Sequence, residues 1–218
     1  MRDRDAPFRD RADAGRRLAA DLVARGASAD VVLALPRGGV PVAREVAGAL
    51  AVPWDVLVVR KLGLPGHEEL AMGAIGAGDV RVWNEDVLRG SGVRPEAIER
   101  VEARERQELE RRERSYRGDR APLALAGRAV LIVDDGIATG ATARAAVAVA
   151  RAAGAAFVAV AAPVASPDTV AELRALADRV WVLQAPVGFY AVGQAYERFG
   201  QVSDEEVRAA LAGAEGAV

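Results

Sequence analysis

The chain has 218 residues, enough for one α/β domain with a small appendage and a substantial core, and too few for two large domains. It contains no cysteine, which excludes disulfides, thiolate metal ligands and a cysteine nucleophile. Its formal net charge of −2 gives no general attraction to a polyanion, so nucleic acid is not an expected partner and any phosphate recognition must be local.

Residues 1–7 are charged and carry no apolar leader. The most apolar stretch, residues 145–165, is interrupted by Arg151, Gly154 and Pro163, which argues against a membrane span. A cytoplasmic protein with no membrane partner is expected. Lys61 is the only lysine in an arginine-rich chain, which singles it out.

Residues 8–25 place Phe8, Ala12, Gly15, Leu18, Ala19 and Leu22 at helical spacing ahead of Gly26, predicting a peripheral amphipathic helix. A strand over 31–35, a helix over 40–50 and a strand over 56–59 follow. This alternation predicts βαβ units and a central parallel sheet flanked by helices. Residues 60–84 then loosen into a projecting β-hairpin, with strands at 70–75 and 80–83 around Gly76-Ala77-Gly78-Asp79.

Residues 93–117 form a long charged helix with Glu96 and Arg100, Glu102 and Arg106, Glu108 and Arg112, and Glu110 and Arg114 each four apart. It reads as a solvated face or an oligomer contact, in a protein expected to be a homo-oligomer. The alternation resumes with a strand over 128–133, a helix ending near Ala153 and a strand over 157–161. Ser166-Pro167 opens a helix, 180–183 is the last strand, and Ser203 with Glu206 makes a capping box for the final helix.

The segment from Val130 to Thr142 carries the chemistry: an apolar strand, Asp134 and Asp135, then Gly136, Ile137, Ala138, Thr139, Gly140, Ala141 and Thr142. In an open parallel sheet such a strand end lies where ligands bind. The loop and helix N-terminus offer backbone N–H groups to a phosphate, and the hydroxyls of Thr139 and Thr142 add donors. Asp134 and Asp135 would repel that phosphate, so they face hydrogen-bond donors or a cation, such as ribose hydroxyls or magnesium.

A P-loop is not supported, because Ala141 rather than lysine follows Gly140, and no Gly-x-Gly-x-x-Gly follows the first strand. The absence of Gly-x-Ser-x-Gly and the single histidine, His67, argue against a serine hydrolase.

The 130–142 segment resembles the phosphoribosyl-pyrophosphate motif of the type I phosphoribosyltransferases. The resemblance extends to Leu35-Pro36-Arg37-Gly38-Gly39, where relatives carry a pyrophosphate-binding loop, and it runs in order along nearly the whole chain. It implies one domain over 1–218, with a mobile loop over 60–84 and a C-terminal hood over 184–202, and gives the 93–117 helix no core part.

The resemblance implies that 5-phosphoribosyl-1-pyrophosphate is the donor, a small nitrogenous base or amine the acceptor, and Mg2+ the cofactor. Gly136, Ala138, Thr139, Gly140, Ala141 and Thr142 would hold the 5′-phosphate; Asp134 and Asp135 would hold the ribose and approach magnesium through its hydroxyls or water. Arg37, Gly38, Gly39, Arg60 and Lys61 would bind pyrophosphate, with Arg37 and Lys61 catalytic beside the two acids. His67, Glu68 and Glu69 are loop candidates for proton handling, His67 being equally readable as an exposed loop histidine. Phe189, Tyr190 and Trp181 are candidates for stacking on a base, or for packing the hood.

One departure stands out. Hypoxanthine/guanine-type members carry an acid just before Thr-Gly-x-Thr, and this chain has Ala138 there, which leans away from 6-oxopurines. The vacancy also motivates an alternative, a non-catalytic protein that senses phosphoribosyl pyrophosphate or a nucleotide.

Overall fold

The computed structural model describes residues 6–118 and 120–214, so the charged start at residues 1–5 lies outside the described residues. The frame is a five-stranded parallel sheet of β1 (Val31–Ala34), β2 (Trp54–Val56), β6 (Ala129–Val133), β7 (Phe157–Val164) and β8 (Arg179–Gln184). Its order is β2-β1-β6-β7-β8, which puts β1 and β6 side by side, with Ala34 opposite Val133.

Alternation within the strands splits the core in two. Val32, Ala34, Leu131, Val133, Ala159 and Ala161 face one cluster with α1 (Arg11–Ala24), α2 (Gly39–Leu50) and α7 (Asp204–Ala214). Val31, Leu33, Val130, Ile132, Val158 and Val160 face the other, with α5 (Ala141–Ala152) and α6 (Pro167–Leu176). Covering both faces is why these strands read as continuous apolar runs.

Helix α1 departs from the sequence expectation at its start. Asp10 accepts the Asp13 N–H at 3.0 Å and caps the helix, so Phe8 stays extended. Phe8 is fully buried, exchanges backbone hydrogen bonds with the hood at Ala195 and Glu197, and lies 5.5 Å from the Tyr196 ring. Nor is α1 peripheral: a Cβ on Gly15 would stand 3.0 Å from the Val42 Cα, so α1 and α2 meet nearly backbone to backbone.

The expected hairpin is a three-stranded antiparallel flap of β3 (Val59–Leu64), β4 (His67–Gly76) and β5 (Arg81–Trp83). The 56–59 strand is divided, because β2 ends at Val56 and Val59 already pairs with Gly76 in the flap. A short helix, α3 (Glu85–Ser91), was not anticipated; Asn84 caps it by accepting the Val87 N–H.

Helix α4 (Pro95–Arg117) is more than a solvated face. Glu105, Leu109 and Tyr116 are buried, and the helix packs on β3 and α7. Both predicted caps at the C-terminal end are present: Ser166 accepts the Thr169 N–H, and Ser203 and Glu206 exchange hydrogen bonds.

Candidate functional site

The two glycine turns at the ends of β1 and β6 are pressed together. A Cβ on Gly38 would fall 2.2 Å from Asp135 Oδ2, and one on Gly39 would fall 2.7 Å from the Val133 carbonyl. Only residues without a side chain let the 36–39 loop approach the acid pair this closely. The Pro36–Arg37 peptide is cis, and Arg37 lies exposed, with Nη1 3.5 Å from Asp204 Oδ1.

Asp134 and Asp135 differ sharply in environment. Asp134 Oδ1 accepts the Asp135 N–H at 2.8 Å. Burial, reinforced by the neighbouring Asp135 charge, pushes the Asp134 carboxyl well above the ordinary carboxylate range. Asp135 is buried and receives Arg11 Nε at 2.6 Å on Oδ2. Arg11 also donates to the Gly200 carbonyl at 2.6 Å and stacks 3.9 Å from the Phe199 ring centroid. The Tyr196 hydroxyl donates to the Asp135 carbonyl, so the hood grips the acid turn from two directions.

The loop after the acids opens onto helix α5. Gly140 has φ 71° and caps the helix without a side-chain bond, leaving the first-turn N–H groups with no intrahelical carbonyl. Thr139 and Thr142 are exposed beside them. The Ala138 carbonyl accepts Thr169 Oγ1 at 2.7 Å and Ser166 Oγ at 3.1 Å, which fixes the loop to α6. On the hood side, a Cβ on Gly136 would meet Val192 Cγ1 at 2.5 Å.

A cleft of about 410 Å³ runs from Pro36 past Val59, Arg60 and Lys61 to Ala141 and Thr142, with Arg104, Glu105 and Arg112 of α4 as its far wall. Arg60 Nε is 2.8 Å from Glu105 Oε2, and Lys61 Nζ is 3.5 Å from the Glu69 carbonyl. The structure therefore brings Pro36, Arg60, Lys61, Glu68, Glu69 and Thr142 around one space. His67 is exposed where β3 turns into β4 and does not line it.

The aromatic candidates are scattered. Phe189 is buried in the hood cluster with Phe8 and Tyr196, Tyr190 is 83% exposed, and Trp181 packs half-buried against the α1 and α2 side of the sheet. Sequence reasoning missed Arg11, Tyr196, Thr169, Glu105 and Arg112. Arg11 and Glu105 each carried a usable signal, a charge inside an apolar helical stripe: Arg11 with Ala14, Leu18 and Leu22, and Glu105 with Val101, Leu109 and Tyr116.

The residues can accommodate magnesium only as part of a larger complex. Among the described residues, no group of three or more His, Cys, Asp and Glu could hold a metal ion. One Asp135 oxygen is committed to Arg11 and one Asp134 oxygen to a backbone N–H. A magnesium ion that brings most of its oxygen ligands as pyrophosphate, hydroxyls and water fits that donor set.

Comparisons with known proteins bear on the family and the fold. The phosphoribosyl transferase domain matches residues 8–193. Two curated Mycobacterium tuberculosis proteins, each named "Putative phosphoribosyl transferase", are 54% identical over 204 residues, covering 94% of this chain and 46% of each relative. The chain thus spans less than half the length of these relatives. The crystal structure of TT1426 from Thermus thermophilus matches with a TM-score of 0.87 at 47% identity, over 94% of this chain and 97% of that one. A Neisseria gonorrhoeae protein solved with bound ppGpp shares the fold, with a TM-score of 0.50 at 16% identity over 95% and 96% of the two chains. A strand-end acid pair between two glycine turns, in a chain matched by this domain from Phe8 to Gly193, makes the protein a member of the type I phosphoribosyltransferase family.

Proposed function

We propose that the protein transfers the phosphoribosyl group of 5-phosphoribosyl-1-pyrophosphate to a nitrogenous base or related amine and releases pyrophosphate. One observation carries this reading: Gly38 and Gly39 touch the acid turn directly, so a ligand with phosphates at both ends of a ribose can span the two turns. In this reading the α5 N-terminus, Thr139 and Thr142 take the 5′-phosphate. Asp134 and Asp135 accept hydrogen bonds from the ribose hydroxyls.

The acceptor nitrogen bonds to the anomeric carbon as the carbon–oxygen bond to pyrophosphate breaks, and the electron pair leaves with pyrophosphate. Arg37, Arg60 and Lys61 stabilise that departing charge, while the acid pair tolerates positive charge building on the ribose. Magnesium, when bound, supplies further neutralisation of the leaving group. The acceptor's proton can pass to Glu68 or Glu69 at the flap or to water. Flap closure over the cleft would exclude water that would otherwise hydrolyse the donor.

The reading is tested by measuring pyrophosphate release with magnesium, the donor and a panel of nucleobases and amines. Turnover that disappears in Asp134→Asn with Asp135→Asn supports it, and full turnover in that double variant ends it. Thermal stabilisation by the donor without release across the panel would replace transfer with sensing.

A further inference from the structure

The 93–117 helix has no part in the resemblance, yet it walls the cleft. Its packed stripe runs Val101, Glu105, Leu109, Arg112 and Tyr116 at a spacing of three and four, with Glu105, Leu109 and Tyr116 buried and Val101 and Arg112 half-buried, and two of its members are charged. Charged groups persist on a packed stripe when partners hold them. Here the partners are visible. Arg60 of β3 reaches Glu105 Oε2 with Nε and Nη2, while Arg104 Nε takes Glu105 Oε1 at 3.1 Å. Arg112 Nε is held by Glu108 Oε1 at 2.7 Å.

The same device recurs at the pyrophosphate turn, where Asp204 of α7 holds Arg37 Nη1 at 3.5 Å. Glu105 holds Arg60 through two nitrogens, and each of the other carboxylate contacts engages a single guanidinium nitrogen. The hydrogen bonds of Arg112 and Arg104 run from Nε alone, so both Nη groups of each make none among the described residues. Arg60 likewise keeps Nη1. Arg60, Lys61, Arg104 and Arg112 line the cleft against Glu68, Glu69 and the already paired Glu105. Guanidinium edges held this way suit a small, multiply charged phosphoryl anion better than a neutral or singly charged ligand.

We propose that α4 completes the pyrophosphate side of the site. Arg104 and Arg112 bind the phosphoryl oxygens of the leaving pyrophosphate, and Glu105 is the positioning residue that presents Arg60 to it. This rests on the phosphoribosyl-pyrophosphate reading above, and it adds to that reading a wall the 36–39 turn does not supply.

Calorimetric titration with magnesium pyrophosphate and, separately, with ribose 5-phosphate tests it without any acceptor. Replacing both arginines, Arg104→Ala with Arg112→Ala, should weaken pyrophosphate binding roughly 10- to 100-fold, the loss of one or two charge-assisted hydrogen bonds. Ribose 5-phosphate binding should stay within about twofold, since it uses the α5 turn. Arg112→Lys alone should restore part of the affinity lost in Arg112→Ala, because the charge returns without the planar edge. Glu105→Gln should weaken pyrophosphate but not ribose 5-phosphate.

Unchanged pyrophosphate affinity in the double variant overturns the proposal, as does equal loss of both ligands, which would mark a structural role. If the unaltered protein binds ribose 5-phosphate but not pyrophosphate, the α4 wall is refuted while the 5′-phosphate site stands. If it binds neither, both readings fail together.

Discussion

Arg11 and Asp135 lie 124 residues apart and meet at 2.6 Å, with their side chains 12% and 11% exposed. The pair ties the first turn of α1 to the acid turn of β6, and through Phe199 and Gly200 to the hood. Removing the arginine strands a nearly buried carboxylate. Arg11→Ala is therefore expected to cost about 3 kcal/mol and to lower the melting temperature by about 6–12 °C for a chain of this size. Ribose 5-phosphate affinity should fall as well, because Asp135 loses its fixed orientation. A melting curve within 1 °C or so of the parent, read by circular dichroism, would show that the pair is merely incidental.

Arg11 also marks the limit of what the chain reveals before it folds. The acid turn, the 36–39 turn and the parallel sheet were legible because each is written in contiguous residues: Val130 to Thr142 spells strand, acids, loop and helix without interruption. Arg11, Glu105 and Tyr196 reach the site from 124, 45 and 61 residues away from their partners Asp135, Arg60 and Asp135. Local pattern carries no record of such pairings. What it does carry is the anomaly of a charge in an apolar stripe, which marks both α1 and α4. The aromatic candidates could not be ranked in advance for the opposite reason: composition says that Phe189, Tyr190 and Trp181 are aromatic, and only packing says which of them is covered.

The contact between the two turns leaves no room at Gly38. A Cβ there would lie 2.2 Å from Asp135 Oδ2 and 2.6 Å from its Cγ, so Gly38→Ala must push the turns apart. The overpacking should cost about 1–3 kcal/mol. Loss of ligand binding should be larger than the loss of stability suggests, since the displaced group is the acid itself. Gly48→Ala, on the same helix with nothing within 4 Å of its Cβ, is the control and should be neutral or slightly stabilising. Ribose 5-phosphate titrations that cannot tell the two variants apart would sink the close-approach argument.

Asp134 should leave a signature in the pH dependence of stability. Burial and then the Asp135 charge raise its carboxyl above the ordinary 3.8 in the folded protein. Between that value and the folded value the native state holds a proton that the unfolded state has released, so stability falls as pH rises through this window. Asp134→Asn keeps an oxygen for the Asp135 N–H and has no proton to lose. Urea melts at intervals upward from pH 4 or so should show the gap between variant and parent moving in the variant's favour as pH rises, then levelling above the folded value. Parallel curves would mean that Asp134 titrates normally.

The anchoring of α4 rests on a second ion pair away from the cleft. Arg117 Nε lies 3.1 Å from both Asp55 carboxylate oxygens, each side chain is only 4% exposed, and Asp55 also receives the Val56 N–H at 2.7 Å. The Arg117 guanidinium further donates to the Val56 carbonyl and to Glu113, so it bridges the end of α4 to the edge strand β2. Arg117→Met keeps the aliphatic stem but leaves the buried Asp55 only the more distant Arg120, whose Nη2 is 3.8 Å from Oδ1, and should cost about 3 kcal/mol in urea unfolding. Adding Asp55→Asn removes the weakly paired charge while keeping an acceptor oxygen for the Val56 N–H, so the double variant should recover much of that loss. If the double variant is no more stable than Arg117→Met alone, the cost came from lost packing at α4 and not from the weakened pairing of Asp55.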